Sequence, residues 1–510
     1  MKNETVKERF DALQQQRWTA IERAQEMAAL TIPSLLPPSG FNNTNDLPDL
    51  YSSVPARGIT SLAARMTSAI YPLNGLPFFQ HSLNHEYVPE GVDPTEAEAA
   101  LARLDRTVMN KLSETNLRSE MFLMFQHLIV LGDALLHMTD DYTFRVIRMD
   151  QYVVRRKPTG EVYEIIVRDY ANRKDDPEYF EEVPMNPYNN GPGNGSTDAD
   201  VEEVFTRLCL KDGKWKATRE VAGVTKDEGE YEQCPYMPIS WNRIVGENYG
   251  RSLVEENIGD IRSLESLSKA LIQGASANSE FRMALDPSAY SSIADMQETR
   301  NGDWVVARPG EVHSIQINNQ IQMTVTNSAR QELIQELSRT FLMSSGAMPT
   351  GERVTATQIR EVAQELDQSL GGVFSGSARD IQLPIIRRTM LLMTRDGKID
   401  PALMKMVGED NILSLEVKTG LAALNREIEN SMLSQWAQMI SATPAAQDVN
   451  WNTWANRFTH SLGLETKGMI KSAEELAAEQ QAMMQQQLGM QAATAGINEM
   501  AKQPPPQQGP

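Results

Sequence analysis

The chain has 510 residues, 41% hydrophobic and 23% charged, an ordinary balance for a folded protein long enough for roughly three or four structural units. Its 48 Lys and Arg against 68 Asp and Glu leave a formal charge of −20. That excludes a surface that grips nucleic acid everywhere, because phosphate affinity needs clustered cations. Two cysteines, Cys209 and Cys234, exclude a disulfide-built secreted scaffold and a four-cysteine zinc site.

Residues 1–30 read as helix and are stopped by Pro33, Pro37, Pro38 and Gly40. A second helix is predicted over 57–71, with Ile59, Leu62, Met66 and Ile70 at helical spacing. Thr95 precedes a third, striped by Leu101, Leu104, Val108 and Leu112. Residues 121–138 are apolar on most sides and predict a buried helix. Gln126, His127 and Asp133 interrupt the run, which is also too short for the ~20 residues of a membrane span. The start, MKNETVKERF, has no apolar signal core, so no membrane insertion is expected.

The pattern then changes to period two. Residues 144–170 predict strands around a Pro158–Gly160 turn, and the strand signal continues to 244. Between them, 184–200 is a Gly-, Asn- and Pro-rich loop. Helix returns over 252–280 with a stripe of Ile261, Leu264, Leu267 and Leu271, about 40 Å long if continuous. A compact mixed insert follows over 281–327, with a short helix around 288–298 and strand-like WVVARP and VHSIQI, and a second helix over 328–344. Helix, insert and helix describe a paired-helix stalk with the insert at its far end.

Residues 344–354 are Gly-, Ser- and Pro-rich loop. Thr355 and Gln358 then fit a capping box, with Val354 and Ile359 as a hydrophobic staple. The helix they open extends over 356–394, with bends expected at Gly371–Gly372 and Pro384. Residues 421–441 carry Leu421, Leu424, Ile428, Met432, Trp436 and Met439 on one helical face. The Gln-, Ala- and Met-rich stretch 472–501 favours helix with a weak apolar stripe, and PPPQQGP reads as disordered.

No catalytic constellation stands out. KDGKWKA at 211–217 lacks the first glycine and the Ser/Thr of a phosphate-binding loop, and no GxGxxG, GxSxG or HExxH is present. His81 and His85 are four apart but in a segment with few helical cues. Asp260 and Glu265 read as the solvated face of an amphipathic helix, and Glu352–Arg353 as a surface pair. No catalytic, cofactor-binding or metal-binding residue is therefore predicted.

Four ordered blocks carry a resemblance: TIPSLLP at 31–37, ARGITSLAARMTSAIYP at 56–72, ENYGRSLVEENIGDIRSLESLSKALIQ at 247–273, and TGERVTATQIREVAQELDQSLGGVFS at 350–375 followed by QLPIIRR. Together they resemble the head-to-tail connector, or portal, proteins of short-tailed bacteriophages over nearly the whole chain. The resemblance implies an α+β, predominantly helical portal-type ring subunit with wing, stem, clip and helical crown. On this map the wing is 1–250, with its β-rich part at 144–244, and the stem helix is 251–280. The clip is 281–327, the second stem helix 328–343 and the tunnel loop 344–354. The wing helix and following segment are 355–420, the crown 421–490 and the disordered tail 491–510.

The implied function is structural: a ring of twelve at one capsid vertex, through which double-stranded DNA is packaged and ejected. No enzymatic activity and no cofactor are implied. The implied partners are the major capsid and scaffolding proteins, the terminase packaging motor, the tail adaptor and nozzle proteins and internal core proteins. The implied location is the virion's head–tail junction, after synthesis in the bacterial cytoplasm. Twelvefold repetition multiplies the acidic charge, which lets DNA slide without sticking.

Candidate channel and tunnel-loop residues are Arg339, Ser344, Ser345, Met348 and Arg353; candidates in the stem are Arg262 and Lys269, and in the clip Arg300 and Arg308. Arg339 and Arg353 either meet phosphates or pair with Glu336 and Glu352 at subunit contacts. Two other readings compete: another head–tail adaptor ring, which would be shorter, and a nuclease or motor ATPase, whose phosphate loop or acidic metal cluster is not visible.

Overall fold

The computed structural model describes residues 4–38, 46–71, 79–83, 94–175, 201–279, 320–343 and 373–399, shorter pieces at 282–288, 293–298, 312–315, 413–417 and 434–441, and scattered single positions. In chain order the elements are α1 (Val6–Gln16), α2 (Trp18–Ala29), α3 (Val54–Ile70), β1 (Phe79–Leu83), α4 (Pro94–Ser113), α5 (Leu117–Leu131), β2 (Asp133–Met138), β3 (Phe144–Ile147), β4 (Tyr152–Arg156) and β5 (Val162–Asn172). Then come β6 (Val201–Lys211), β7 (Lys214–Val221), β8 (Val224–Tyr231), β9 (Tyr236–Ser240), α6 (Leu253–Glu256), α7 (Ile258–Ser279), β10 (Arg282–Leu285) and α8 (Ile293–Glu298). The last are β11 (Val312–Ile315), α9 (Gln320–Thr340), α10 (Val373–Arg395) and β12 (Leu413–Val417). The chain is α+β, with helix predominating.

Residues 1–88 with 103–421 form one compact unit, and 89–102 with 422–510 another. In the second, residues 434–441 are helical, as expected for part of 421–441, and the rings of Trp454 and Phe458 stack at 5.1 Å.

In the first unit the β-rich segment is a meander of five antiparallel strands in the order β4-β5-β6-β7-β8. Its turns have legible chemistry. Gly160 takes φ +90° between β4 and β5, where the Pro158–Gly160 turn was expected. Asp212 and Gly213 both take positive φ in the two-residue link between β6 and β7, as does the Ala222–Gly223 pair after β7. The KDGK that fails as a phosphate loop is thus a hairpin turn. Asp227, Glu228 and Glu230 are exposed on β8, the outer strand, where charge discourages pairing with another chain.

α1 covers one face of this sheet. Val6, Phe10 and Leu13 pack on Val153, Ile166 and Phe205, each such burial contributing about 1.5–3 kcal/mol. A Thr5–Glu8 capping box starts the helix. The buried Glu220 carboxylate accepts the Val6 N–H at 2.8 Å and the Lys7 N–H at 3.4 Å. The single helix expected over 1–30 is broken at Arg17. Its buried guanidinium donates to the carbonyls of Met149, Tyr152 and Asp150, tying the break to the turn before β4.

The helix expected over 121–138 is half wrong. α5 ends at Leu131 because Gly132, at φ +85°, takes the left-handed cap position, and residues 133–138 are β2. β2 is the middle strand of a three-stranded sheet, β3-β2-β9, and is buried on both faces. Such a strand has no polar alternation, so periodicity alone cannot separate it from buried helix. α3 and α5 pack together beside it. α10 continues through Pro384 and is pinned to β2 and the β2–β3 turn by Arg388, whose buried guanidinium donates to Met138 O at 3.1 Å and Asp140 at 2.8 Å.

Candidate functional site

α7 and α9 form the stalk read from the sequence, and they run antiparallel. Ile261 and Leu264 of α7 are wholly buried, as are Leu337 of α9 and Phe341 just beyond it. Midway, the Arg330 Nε donates to Ser268 Oγ at 3.1 Å. Further out, Gly274 lies against the Met323 methyl. β10 pairs antiparallel with β11 between the two helices, Arg282 opposite Ile315. α9 begins at Gln320, earlier than the expected 328, so 320–327 belongs to the stalk rather than to the insert. The short helix of the insert is Ile293–Glu298.

The stalk root is fastened to the rest of the unit in five places. Arg262 forms an ion pair with Glu26 of α2. The Glu265 carboxylate accepts the backbone N–H of Tyr51 at 2.7 Å and of Ser52 at 3.0 Å. This corrects the reading of Glu265 as a solvated face: it binds the turn before α3. The Lys269 ammonium lies 5.7 Å above the Tyr51 ring. Phe341 packs so closely on α3 that a Cβ on Gly58 would stand 2.8 Å from its ring.

The fifth fastening is the junction leading into α6 and α7. Gly132 and Gly250 meet backbone to backbone: a Cβ on either would lie 2.9 Å from the other's carbonyl oxygen. Asp133 follows Gly132 and is buried. Its carboxylate accepts from the Ser240 hydroxyl at 2.6 Å and from the Gly250 N–H at 2.6 Å. Burial pushes the Asp133 pKa up to about 7, although both hydrogen bonds pull the other way. Ser252 then caps α6 by accepting the Glu255 N–H. Arg251 braces the segment between Glu247 and Glu255.

Charge is unevenly distributed along the stalk. Near the root lie Arg262, Glu265, Lys269, Arg330, Glu332, Glu336 and Arg339, whereas 270–279 and 320–329 contain no charged residue. Ile272 and Val325 of these uncharged stretches are 52% and 64% exposed, a large apolar exposure for helices that pair with each other.

Of the sequence candidates, the structure brings Arg262 and Lys269 to the root of the stalk. Arg339 is exposed in the last turn of α9, and among the described residues of this chain it forms no ion pair with Glu336. Arg308 is exposed in the insert. Ser344, Ser345, Met348, Arg353 and Arg300 lie outside the described residues. Asp133, Gly132, Gly250 and Gly58 were missed. Asp133 was visible as one of three interruptions of an apolar run, and Gly250 stands inside a block that carries the resemblance. Nothing in the sequence pairs them.

Among the described residues no group of three His, Cys, Asp or Glu could hold a metal, and no helix is long and apolar enough to cross a membrane. What the arrangement offers is a pair of helices bearing a small insert, fastened at its root to an α+β body.

The chain belongs to the bacteriophage head-to-tail connecting protein family, whose model matches residues 3–470. The particular relatives are portal proteins. That of Escherichia phage T7 is 29% identical over 508 residues, covering 96% of this chain and 92% of its own. That of Enterobacteria phage T3 is 29% identical, covering 98% and 95%. That of Pseudomonas phage phiKMV is 28% identical, covering 94% of each. A solved chain from the neck of a native gene transfer agent particle, computed with C12 symmetry, overlaps 81% of this chain and 90% of its own at 11% identity, with a TM-score of 0.31, too loose a likeness to carry argument.

Proposed function

We propose that this chain is a phage portal subunit that assembles into a ring of twelve at one capsid vertex and forms the channel for genome packaging and ejection. The observation that carries the reading is the end-to-end match to portal proteins, over more than nine-tenths of each of three relatives. Two features of the fold support it. A stalk bearing an insert suits a docking element, here for the packaging motor and then the tail. Bare apolar positions on an uncharged part of that stalk suit a subunit whose neighbours cover it. On this reading the role is structural rather than enzymatic, double-stranded DNA passes through without being held, and the chain resides at the head–tail junction of the virion.

The test is electron microscopy of purified protein with top views sorted by symmetry. Closed rings with a hole wide enough for a duplex are expected. Compact monomers or dimers at all concentrations, with and without a scaffolding partner, refute the ring.

A further inference from the structure

Asp133 is a buried carboxylate with no ion-pair partner among the described residues, placed where the stalk leaves the body. We propose that Asp133 is a proton-controlled latch: in its neutral form it holds residues 250–252 against Gly132, and in its ionised form it loosens the root of the stalk. The observations are geometric first. The Gly132–Gly250 approach leaves no room for a side chain between the two backbones. The carboxylate reaches across this seam to Ser240 of β9 and Gly250 of the stalk segment at 2.6 Å each. Two further hydrogen bonds close the same seam: Trp241 N–H donates to Gly132 O, and Arg251 N–H to Asn242 O, both at 2.8 Å.

The surrounding charges are already committed. Arg156 of β4 is one hydroxyl away: its Nη2 donates to Ser240 Oγ at 3.1 Å, while its other donors go to the carbonyls of Asn248, Gly160 and Pro238. Arg243 donates to Gly160 O and pairs with Asp380. Arg251 is held by Glu247 and Glu255. Tyr152 and Tyr249, facing the site from β4 and the stalk segment, are held protonated by burial. α5 contributes His127, which burial keeps neutral down to about 4. Arg145 of β3, and His137 and Tyr236 on β2 and β9, lie at the other end of the sheet from the Asp133–Ser240 pair. The anion therefore has two short hydrogen bonds and no cation in direct contact; Arg156 and Arg243 favour it through space by less than burial disfavours it, while opening the seam would hydrate it.

The sign follows from linkage. The closed latch titrates near 7 and the opened, hydrated carboxyl near its ordinary 3.8, so the closed form binds the proton more tightly. Latching is strongest in acid and weakens as pH rises, levelling off above the closed-state value. Between pH 6 and pH 8 the opening constant rises about tenfold.

The test is amide hydrogen exchange on the full assembled chain, following peptides that span 249–257 and correcting for the intrinsic pH dependence of exchange. Wild type should lose about tenfold in protection between pH 6 and pH 8, and Asp133→Asn should lose none. Asn keeps the shape and can still accept the Gly250 N–H while donating to Ser240 Oγ. Flat protection in wild type, or an equal loss in Asp133→Asn, overturns the proposal. If Asp133→Asn fails to fold, Ser240→Ala removes a donor that favours the anion and must move the midpoint to higher pH. An unmoved midpoint overturns the latch equally.

Discussion

The contact between Gly58 of α3 and Phe341 beyond α9 can be tested by a double-mutant cycle. In Gly58→Ala the new methyl would stand 2.8, 2.9 and 2.9 Å from Phe341 Cδ2, Cβ and Cγ. Real carbons do not approach so closely, and Phe341 is wholly buried, so it cannot swing into solvent. Overpacking of this kind costs about 1–3 kcal/mol. Replacing a helical glycine by alanine returns about 1 kcal/mol in helix propensity, leaving a net loss of up to about 2 kcal/mol. Phe341→Ala alone costs about 3–5 kcal/mol through its cavity. In that background the two ring contacts are gone and only the Cβ contact at 2.9 Å remains, so Gly58→Ala should cost less than it does beside the ring. Because a chain of two units does not unfold in one step, the assay must be local: exchange protection of peptides spanning 335–343 in the four members of the cycle. If Gly58→Ala has the same effect with and without the Phe341 ring, the account of the stalk root is wrong.

Glu265→Ala should strip two acceptor bonds from the backbone of Tyr51 and Ser52, costing about 1–3 kcal/mol because Ser52 is buried. Proteolysis should then cut near residues 50–53 faster, while Asp260→Ala leaves the rate unchanged. Burial pushes the Glu164 carboxyl up, but hydrogen bonds and charge from Arg9 and Arg207 outweigh it and hold the group below its usual range. Its contribution is therefore present at neutral pH and is lost in acid, as pH falls through the lowered value. Glu164→Ala leaves these arginines crowded and unpaired, and should cost about 3–5 kcal/mol, seen as release of α1 to proteases at neutral pH. Burial lowers His127 to about 4, so the unfolded chain takes up this proton first as pH falls below 6.5. That group removes about 3 kcal/mol of stability between pH 6.5 and 4. His127→Leu should flatten the corresponding part of the melting-temperature profile, and an unchanged slope would assign the acid sensitivity elsewhere.

Patterns that repeat along the chain were legible in the sequence. The meander could be read from its alternation and from Gly160, and the stalk from Ile261 and Leu264. Residues whose role depends on a distant partner were not. Glu265 looks like any solvated carboxylate until Tyr51 and Ser52, more than two hundred positions away, present their N–H groups to it. Residues 133–138 misled because a strand buried on both faces offers the same apolar run as a buried helix. Residues 320–327 misled because QIQMTVTN mixes β-branched and polar residues that favour helix weakly alone, yet it lengthens a helix already held by its partner. The family could be read from blocks of sequence. The junction of Gly132, Asp133 and Gly250 could not, because two ordinary glycines acquire meaning only when their backbones touch.

The uneven charge along α7 and α9 grades the stalk's stiffness. Below Ser268 and Arg330 it is clamped by an ion pair, carboxylate–backbone bonds and a buried ring. Beyond them about 15 Å of each helix has no charged residue to tie it to its partner. It behaves as a beam fixed at one end: a sideways load on the insert bends the outer part first and arrives at the body attenuated.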